Sequence, residues 1–285
     1  GFLASMGALD FAGGAVVHVN AASAALVAAM VVGPRKDFGR HAILPHNVPF
    51  TMLGAGLLWF GWFGFNAGSA LSAGTTATLA FTNTLLAPAA TLAAWTLIDM
   101  IRGGTVTAVG AATAIVVGLV VVTPAAGFIS PVSAIVMGAI GAIPSYFALI
   151  YRAKTKLDDS LDVVAAHGLG GATGAILTGV FAQAAWSGGA RGLIDGHPAQ
   201  VVTQILSVLM VMAYSGGATF VILKLLALVM PLRITVRDQK LGLDVSDHGE
   251  EAYTQGDGAI LVKPKENIAP QSATDAITVQ SGGGA

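Results

Sequence analysis

The stretch Asp10-Phe-Ala-Gly-Gly-Ala-Val-Val-His18 places an aspartate eight residues before a histidine in an otherwise apolar segment. The same spacing recurs where Asp159 precedes His167. Both pairs open glycine-rich apolar segments, and the order of the loops predicts that these segments cross a membrane in opposite directions. Such a pattern is typical of an inverted-topology repeat, with chance similarity as the alternative.

The composition around these segments is typical of a membrane protein. Of 285 residues, 54% are hydrophobic and 10% are charged, whereas soluble domains carry roughly 25% charged residues. Thirteen of the 29 Asp, Glu, Lys and Arg residues lie in the last 53 positions. The sequence therefore predicts a transmembrane helical domain over 1–232 and a water-soluble C-terminal tail over 233–285.

Seven apolar stretches are long enough to cross a bilayer, which takes about 20 residues per helix. They are predicted at 9–33, 48–71, 78–101, 105–123, 131–151, 161–184 and 198–231. The predicted fold class is thus an all-α polytopic membrane protein. Many of the 37 glycines lie inside these stretches, which favours close packing because small residues let helix backbones approach in lipid.

Lysine and arginine are distributed unevenly among the predicted loops. Alternate loops carry ten of these residues, and the intervening loops carry only Arg191. Since cytoplasmic loops carry the excess of positive charge, we expect a multi-pass protein of the plasma (inner) membrane whose tail is cytoplasmic. Residues 255–285 are rich in Gly, Ser, Pro, Gln and Thr, which predicts disorder.

Several functional classes are excluded or disfavoured. A net charge of −1 with no basic cluster argues against a nucleic-acid partner, and the absence of cysteine excludes disulfides and thiolate metal sites. No P-loop, GxSxG or HExxH motif is present, so we expect neither an enzyme nor a cofactor. A haem held by two membrane histidines is a disfavoured alternative.

The two histidines are the strongest functional candidates. Ionisable residues inside a membrane are costly and usually face a cavity or pathway; the alternative for His18 and His167 is a helix–helix hydrogen bond worth about 1 kcal/mol. Asp10 lies at the start of the first predicted helix. Because carboxylates stabilise helix N-termini, we expect Asp10 to cap this helix. Its alternative role is cation attraction or proton relay.

The second predicted helix carries a polar and aromatic stripe. Leu58, Trp62, Phe65 and Ser69 follow one another at helical spacing on a single face. The order, with the hydroxyl outside, the aromatic ring next and the apolar wall beneath, favours a functional face, with ordinary packing as the alternative. On the sixth helix, Val163 adds an apolar group one turn from the second histidine.

Four stretches carry a resemblance to a known family. They are Asp10 to His18, Gly61-Trp-Phe-Gly-Phe-Asn-Ala-Gly-Ser69, Asp158-Asp-Ser-Leu-Asp-Val-Val-Ala-Ala-His-Gly-Leu-Gly-Gly171 and Gly242-Leu-Asp-Val-Ser-Asp-His-Gly-Glu250. From Gly1 to about Tyr253 the chain resembles the Amt branch of the ammonium transporter (Amt/Mep/Rh) family. Members have eleven helices in an inverted-repeat bundle, and this chain resembles helices five to eleven plus the tail. The resemblance thus implies an N-terminal truncation.

The resemblance implies an activity and roles for the candidate residues. Ammonium would be recruited at the outer mouth and deprotonated, and ammonia would be conducted through a hydrophobic twin-histidine pore. His18 and His167 match the twin histidines, Phe65 the inner ring of the gate, Ser69 the recruitment hydroxyl and Asp10 an aspartate near that mouth. Leu58, Trp62 and Val163 match the apolar lining.

The resemblance also implies partners. These are ammonium or ammonia, with methylammonium as an analogue, membrane lipid, two further copies in a homotrimer, and a PII-type nitrogen-regulatory protein at the cytoplasmic face. Two other functions remain open: an ammonium sensor that signals through its tail and a PII-type partner, and a passive ammonia gas channel.

Overall fold

The computed structural model describes residues 1–40 and 44–253. Two compact units divide the chain, Gly1–Leu232 and Arg233–Ala285, and no strand occurs among the described residues. The seven long helices of the first unit are α1 (Asn20–Val32), α2 (Val48–Gly68), α3 (Thr75–Ile101), α4 (Ala108–Val122), α5 (Pro131–Arg152), α6 (Gly170–Phe181) and α7 (Ala199–Leu226). Two π-helical segments precede α1 and α6: the first π segment, Gly14–Val19, and the second π segment, Val164–Leu169.

All seven predicted apolar helices form, and six of them are long and apolar enough to cross a membrane when each π segment is counted with the helix that follows it. The exception is α4, which has 15 residues and is therefore only about 22 Å long. The predicted span of 105–123 is too long, because the Thr107 side chain accepts a hydrogen bond from the Gly110 N–H and starts the helix there.

The short helix α4 lies at the centre of the first unit. It packs against α2, α3, α5 and α6, and the side chains of its last turn, Leu119 to Val122, have no exposed surface. Its continuous apolar sequence follows from this position, since a helix covered on all sides needs no polar face.

Glycine permits the closest approaches between the helices. A Cβ atom at Gly138 of α5 would lie 2.2 Å from the carbonyl oxygen of Ala87 in α3. A Cβ atom at Gly174 of α6 would lie 2.3 Å from the carbonyl oxygen of Val121 in α4. The glycine-rich composition thus has the predicted structural use, which is backbone-to-backbone packing.

The structure corrects three predicted helix ends. The first and sixth predicted helices, each counted with its π segment, begin at Gly14 and Val164, not at residues 9 and 161. Residues 9–13 and 161–162 are not helical. The last helix ends at Leu226 and is followed by a turn. Pro231, which disfavours helical backbone at the residue before it, closes that turn.

The second unit is described up to residue 253. It contains a short helix, Val236–Leu241, capped by the Thr235 side chain, and a π turn, Asp244–His248. The predicted disorder of 255–285 lies outside the described residues, and the assignment of this unit as a cytoplasmic tail stays a prediction.

Candidate functional site

Two histidine rings meet inside the first unit. The Nδ1 atoms of His18 and His167 lie 3.2 Å apart, and the ring centroids lie 5.2 Å apart with an interplanar angle of 36°. His18 keeps only 4% of its surface exposed. Residues 149 positions apart in the chain therefore share one hydrogen bond at a buried point, in which one ring donates and the other accepts.

Each histidine is presented by a π segment whose start is capped by an aspartate. Asp10 accepts hydrogen bonds from the N–H groups of Ala15 and Val16, both at 3.1 Å. The wider turn is visible in the His18 N–H, which donates to the carbonyl of Gly13, five residues earlier. Such π turns are rare and often occur at functional sites.

The second π segment repeats this arrangement. Asp159 accepts hydrogen bonds from the N–H groups of Val163 and Val164, at 3.0 and 2.7 Å, and His167 follows in the same π segment. The sequence repeat of an aspartate and a histidine eight residues apart thus corresponds to a structural repeat. Its π-helical character was not predicted, because it depends on hydrogen bonds that residue type alone does not specify.

Two aromatic rings extend the histidine pair. The Trp62 ring stacks on His18 at 5.3 Å and 20°, and Phe65 lies 5.5 Å from Trp62 and 6.2 Å from His18 between ring centroids. His18, His167, Trp62 and Phe65 are called the ring cluster below. It unites four of the eight predicted site residues.

Thr123, which sequence reasoning missed, orients two parts of this cluster. Its hydroxyl oxygen accepts a hydrogen bond from Trp62 Nε1 at 2.9 Å, and its carbonyl oxygen accepts one from the Ala12 N–H at 3.2 Å. Thr123 therefore fixes the ring that stacks on His18 and also the segment that leads to His18. No sequence signal distinguishes this threonine from others in apolar helices.

The remaining predicted residues lie around the cluster without a ring contact to it. The Ser69 hydroxyl donates to the carbonyl oxygen of Phe65 at 2.9 Å, at the end of α2. Leu58 is 51% exposed, and Val163 is half-buried. Asp10 acts as a cap, as its position at the start of a helix predicted.

The electrostatics of Asp10 differ from those of an ordinary surface carboxylate. Burial raises the pKa of the Asp10 carboxyl above its usual 3.8, while hydrogen bonds from the Val16 and Ala15 N–H groups lower it by less. Its second oxygen, Oδ1, is buried without a hydrogen-bond partner among the described residues. A buried carboxyl oxygen with no partner can accept a proton or a hydrogen bond from a ligand.

His18 also retains an unused ring nitrogen. Its Nε2 atom is buried and has no hydrogen-bond partner within 1–40 and 44–253. Buried polar atoms in proteins are nearly always hydrogen-bonded, so this nitrogen is a place where a small polar molecule could bind. Within the described residues, no group of three or more His, Cys, Asp or Glu side chains is arranged to hold a metal ion.

The sequence of this chain is similar to those of known ammonium transporters. A profile described as the Ammonium Transporter Family matches residues 1–253. An ammonium transporter of Aquifex aeolicus is 48% identical over 254 residues, which cover 89% of this chain and 59% of that protein. The chain thus spans about 60% of the length of such relatives.

Solved structures give the same result. Mep2 of Saccharomyces cerevisiae matches with a TM-score of 0.77 and 34% identity, over 82% of this chain and 55% of that one. A protein described as a sensor Amt protein matches with a TM-score of 0.79 and 34% identity, over 86% of this chain and 61% of that one. Both similarities extend over more than four-fifths of this chain.

Proposed function

This chain belongs to the ammonium transporter family, and from that premise we propose that it recruits ammonium, deprotonates it and conducts ammonia past the ring cluster. The observation that carries the proposal is the buried contact between His18 Nδ1 and His167 Nδ1. Transport is a family property rather than an enzymatic reaction, so no covalent chemistry is assigned.

The hydrogen bond between the histidines determines what the pair offers to a passing molecule. If both rings are neutral, the ring that donates from Nδ1 has a bare Nε2 acceptor, and the other ring has an Nε2–H donor. Ammonia both accepts and donates hydrogen bonds, so it matches both nitrogens. A potassium ion can interact with the bare Nε2 nitrogen, but it cannot accept a hydrogen bond from the Nε2–H group of the other ring.

Desolvation provides the larger discrimination. Moving an unpaired cation into an apolar medium costs tens of kcal/mol by Born solvation. Ammonium can avoid this cost because it can leave a proton behind, whereas potassium cannot. An apolar passage lined by Leu58, Trp62 and Val163 would therefore pass ammonia and reject ions of similar size.

The entrance is assigned to Ser69, Phe65 and Asp10. A ring such as Phe65 attracts a cation by about 1–2 kcal/mol when partly desolvated, and the Ser69 oxygen can accept an N–H bond while its own hydrogen is donated to the Phe65 carbonyl. The raised pKa of Asp10 supports a role in taking up the released proton. This acceptor role is added to its capping role.

Ammonium-evoked current in proteoliposomes tests the proposal. Because the chain spans 59% of the length of its Aquifex aeolicus relative, the protein assayed is this chain joined to the preceding helices of that relative. We propose that the released proton crosses separately from ammonia, relayed by the two histidines. We therefore expect a current specific for ammonium over potassium that the double variant His18→Ala, His167→Ala abolishes. The matched control is His197→Ala, which changes a histidine outside the candidate spans.

Each outcome of this experiment has a definite meaning. A current retained by the double variant would overturn the assignment of the pair. Uptake of labelled methylammonium without any current would favour a neutral gas channel over charge-coupled transport. Potassium current equal to ammonium current would overturn the desolvation argument.

The assembly is proposed on the same family premise. We infer a homotrimer in the plasma (inner) membrane, surrounded by lipid, with a PII-type regulatory protein at the cytoplasmic face. Mass measurement in detergent tests the trimer, for which a monomer is the contrary result. Co-purification with a PII-type protein in low and high ammonium tests the partner.

A sensor is the second candidate, since a sensor Amt protein is among the structural neighbours. A sensor would bind ammonium without turnover. Binding measured by calorimetry together with absent current and absent methylammonium uptake would favour it over the transporter.

A further inference from the structure

Gln204 on α7 is a polar side chain in an apolar setting. It is 1% exposed, and its Oε1 accepts a hydrogen bond from the Leu9 N–H at 2.8 Å. Its Nε2 donates to the carbonyl oxygens of Leu9 at 2.7 Å and Ala175 at 2.9 Å. The amide thus clamps both backbone groups of Leu9, 195 residues away in the chain.

A second glutamine reinforces this clamp. Gln200, one turn earlier on α7, donates from Nε2 to the carbonyl oxygen of Gly7 at 2.9 Å and to Gln204 Oε1 at 3.2 Å. Every donor and acceptor of the Gln204 amide is thereby satisfied. A fully satisfied buried polar network fixes one arrangement of the segments that it joins.

The clamped residue lies next to Asp10. Asp10 caps the first π segment through the N–H groups of Ala15 and Val16, and His18 follows within that segment. Leu9 is therefore bonded directly to the residue whose carboxylate caps the segment that carries His18.

We propose that Gln204 is a positioning residue for conduction: its amide holds Leu9, and thereby holds the Asp10 cap and the His18 ring opposite His167. This inference rests on the proposed function, because it assigns the clamp to the passage used by ammonia. Gln204 itself forms no hydrogen bond with a side chain of the ring cluster in the described part of the chain.

The clamp can be measured independently of transport. The chain contains no cysteine, so a single Ala8→Cys substitution, next to Leu9, reports how accessible this segment is to a water-soluble maleimide. We expect Gln204→Leu to speed labelling about tenfold, since it removes both hydrogen bonds that hold Leu9. The matched control is Thr203→Val on the same helix, where the half-buried hydroxyl donates only to the Ala199 carbonyl of its own helix.

The effect on conduction is measured in the protein used for the current assay. We expect Gln204→Leu to lower the ratio of ammonium to potassium current about tenfold, because a displaced His18 no longer completes the pair that matches ammonia. Both currents are taken after subtraction of the current in protein-free liposomes, so that the ratio is a property of each folded protein and a merely destabilised protein would leave it unchanged.

The outcomes separate the clamp from the proposed function. Labelling as slow as in Thr203→Val, or faster labelling with an unchanged current ratio, would overturn the positioning role. If Gln204→Leu fails to reach the membrane, Gln200→Leu, which removes the Gly7 bond and one support of Gln204, should give an increase of about threefold in labelling. Absence of ammonium current in the parent protein would overturn the proposed function, whereas the labelling rates would still decide whether Gln204 holds Leu9.

Discussion

The two histidine-bearing segments end in similar caps but are held to the rest of the unit by different chemistry. The first is anchored by neutral groups: the Gln204 amide on Leu9 and backbone bonds from Phe11 and Ala12 to residues 124 and 123. The second is anchored by charge. Asp158, immediately before its cap, forms an ion pair with Arg35 at 2.7 Å.

A second ion pair adds to this contrast. Arg152 and Asp162 lie 2.6 Å apart, and Asp162 has a positive φ of 56°, a backbone conformation that is uncommon outside glycine but tolerated by aspartate. Neutral anchors are insensitive to pH and salt, whereas charged anchors respond to both. The repeat therefore conserves the cap and the histidine but not the means by which each is fixed.

The largest expected effect comes from removing a cap. Asp159→Ala leaves the N–H groups of Val163 and Val164 without their partner, and we expect a loss of about 2–4 kcal/mol of stability, since each buried orphan costs about 1–3 kcal/mol. Asp10→Ala should cost less, because Asp159 is more deeply buried. Denaturant unfolding in detergent micelles measures both.

Asp195→Ala is the matched control for the caps. Asp195 accepts a hydrogen bond from the Ala184 N–H, at the start of a four-residue helix away from the histidines. Equal losses for all three variants would contradict a special role for the caps of the π segments.

The next effect comes from breaking the charged anchor. Arg35→Gln leaves the Asp158 side chain, which is only 3% exposed, without its cation. We expect a loss of about 1–2 kcal/mol, discounted because Arg35 itself is 43% exposed to solvent screening. Lys154→Gln, which removes the same charge at an exposed position, is the charge-matched comparison. If both variants lose the same stability, the contribution is general charge and not this pair.

Acidity should act on Asp10 and on the Arg35–Asp158 pair with opposite signs. The Arg35 guanidinium holds the pKa of the Asp158 carboxyl below 3.8, so the stability from that pair is present above pH 3.8 and is lost as pH falls through the lowered pKa. Burial raises the pKa of Asp10 above 3.8, so its folded form gains stability as pH falls through that raised value.

Thermal unfolding between pH 7 and pH 3 tests these signs. In Asp10→Asn the gain on acidification should disappear, and in Asp158→Asn the loss at the acid end should disappear. The sign assignment is wrong if either substitution flattens the opposite end of the profile.

The smallest expected effect is that of salt. Raising sodium chloride from 0.1 to 1 M shortens the screening length from about 10 to 3 Å and should weaken the half-exposed Arg35–Asp158 pair by less than about 1 kcal/mol. The unfolding midpoint should fall slightly in the parent and by less in Arg35→Gln, which keeps the Arg152–Asp162 pair of this segment. In Gln204→Leu the midpoint should fall with salt by the same amount as in the parent, since that variant keeps the Arg35–Asp158 ion pair.

Most helices of the first unit were predictable, because a run of apolar residues is a local feature of the sequence. Apolar runs of helical length predicted seven helices, and all seven form. The fourth was overestimated because a residue-by-residue count could not show that Thr107 caps α4 or that other helices cover it on all sides. The last was overestimated because the apolar composition continues through the turn after Leu226.

The candidate site was predictable in its residues but not in its geometry. The spacing of Asp10 with His18 and of Asp159 with His167 marked the pairs, and a helical face marked Trp62. The sequence could not predict that each histidine lies in a π segment, since a change from i−4 to i−5 hydrogen bonds leaves no residue pattern of its own.

By itself, the sequence determined the all-helical class, the seven apolar helices and the two histidines that we propose for function, because composition and short-range periodicity carry that information. Only the tertiary structure decided that the Nδ1 atoms of His18 and His167 lie 3.2 Å apart and that Gln204 clamps Leu9 across 195 residues. Hydrogen bonds between such distant residues form only after the helices have packed, and packing depends on shape complementarity along the whole chain.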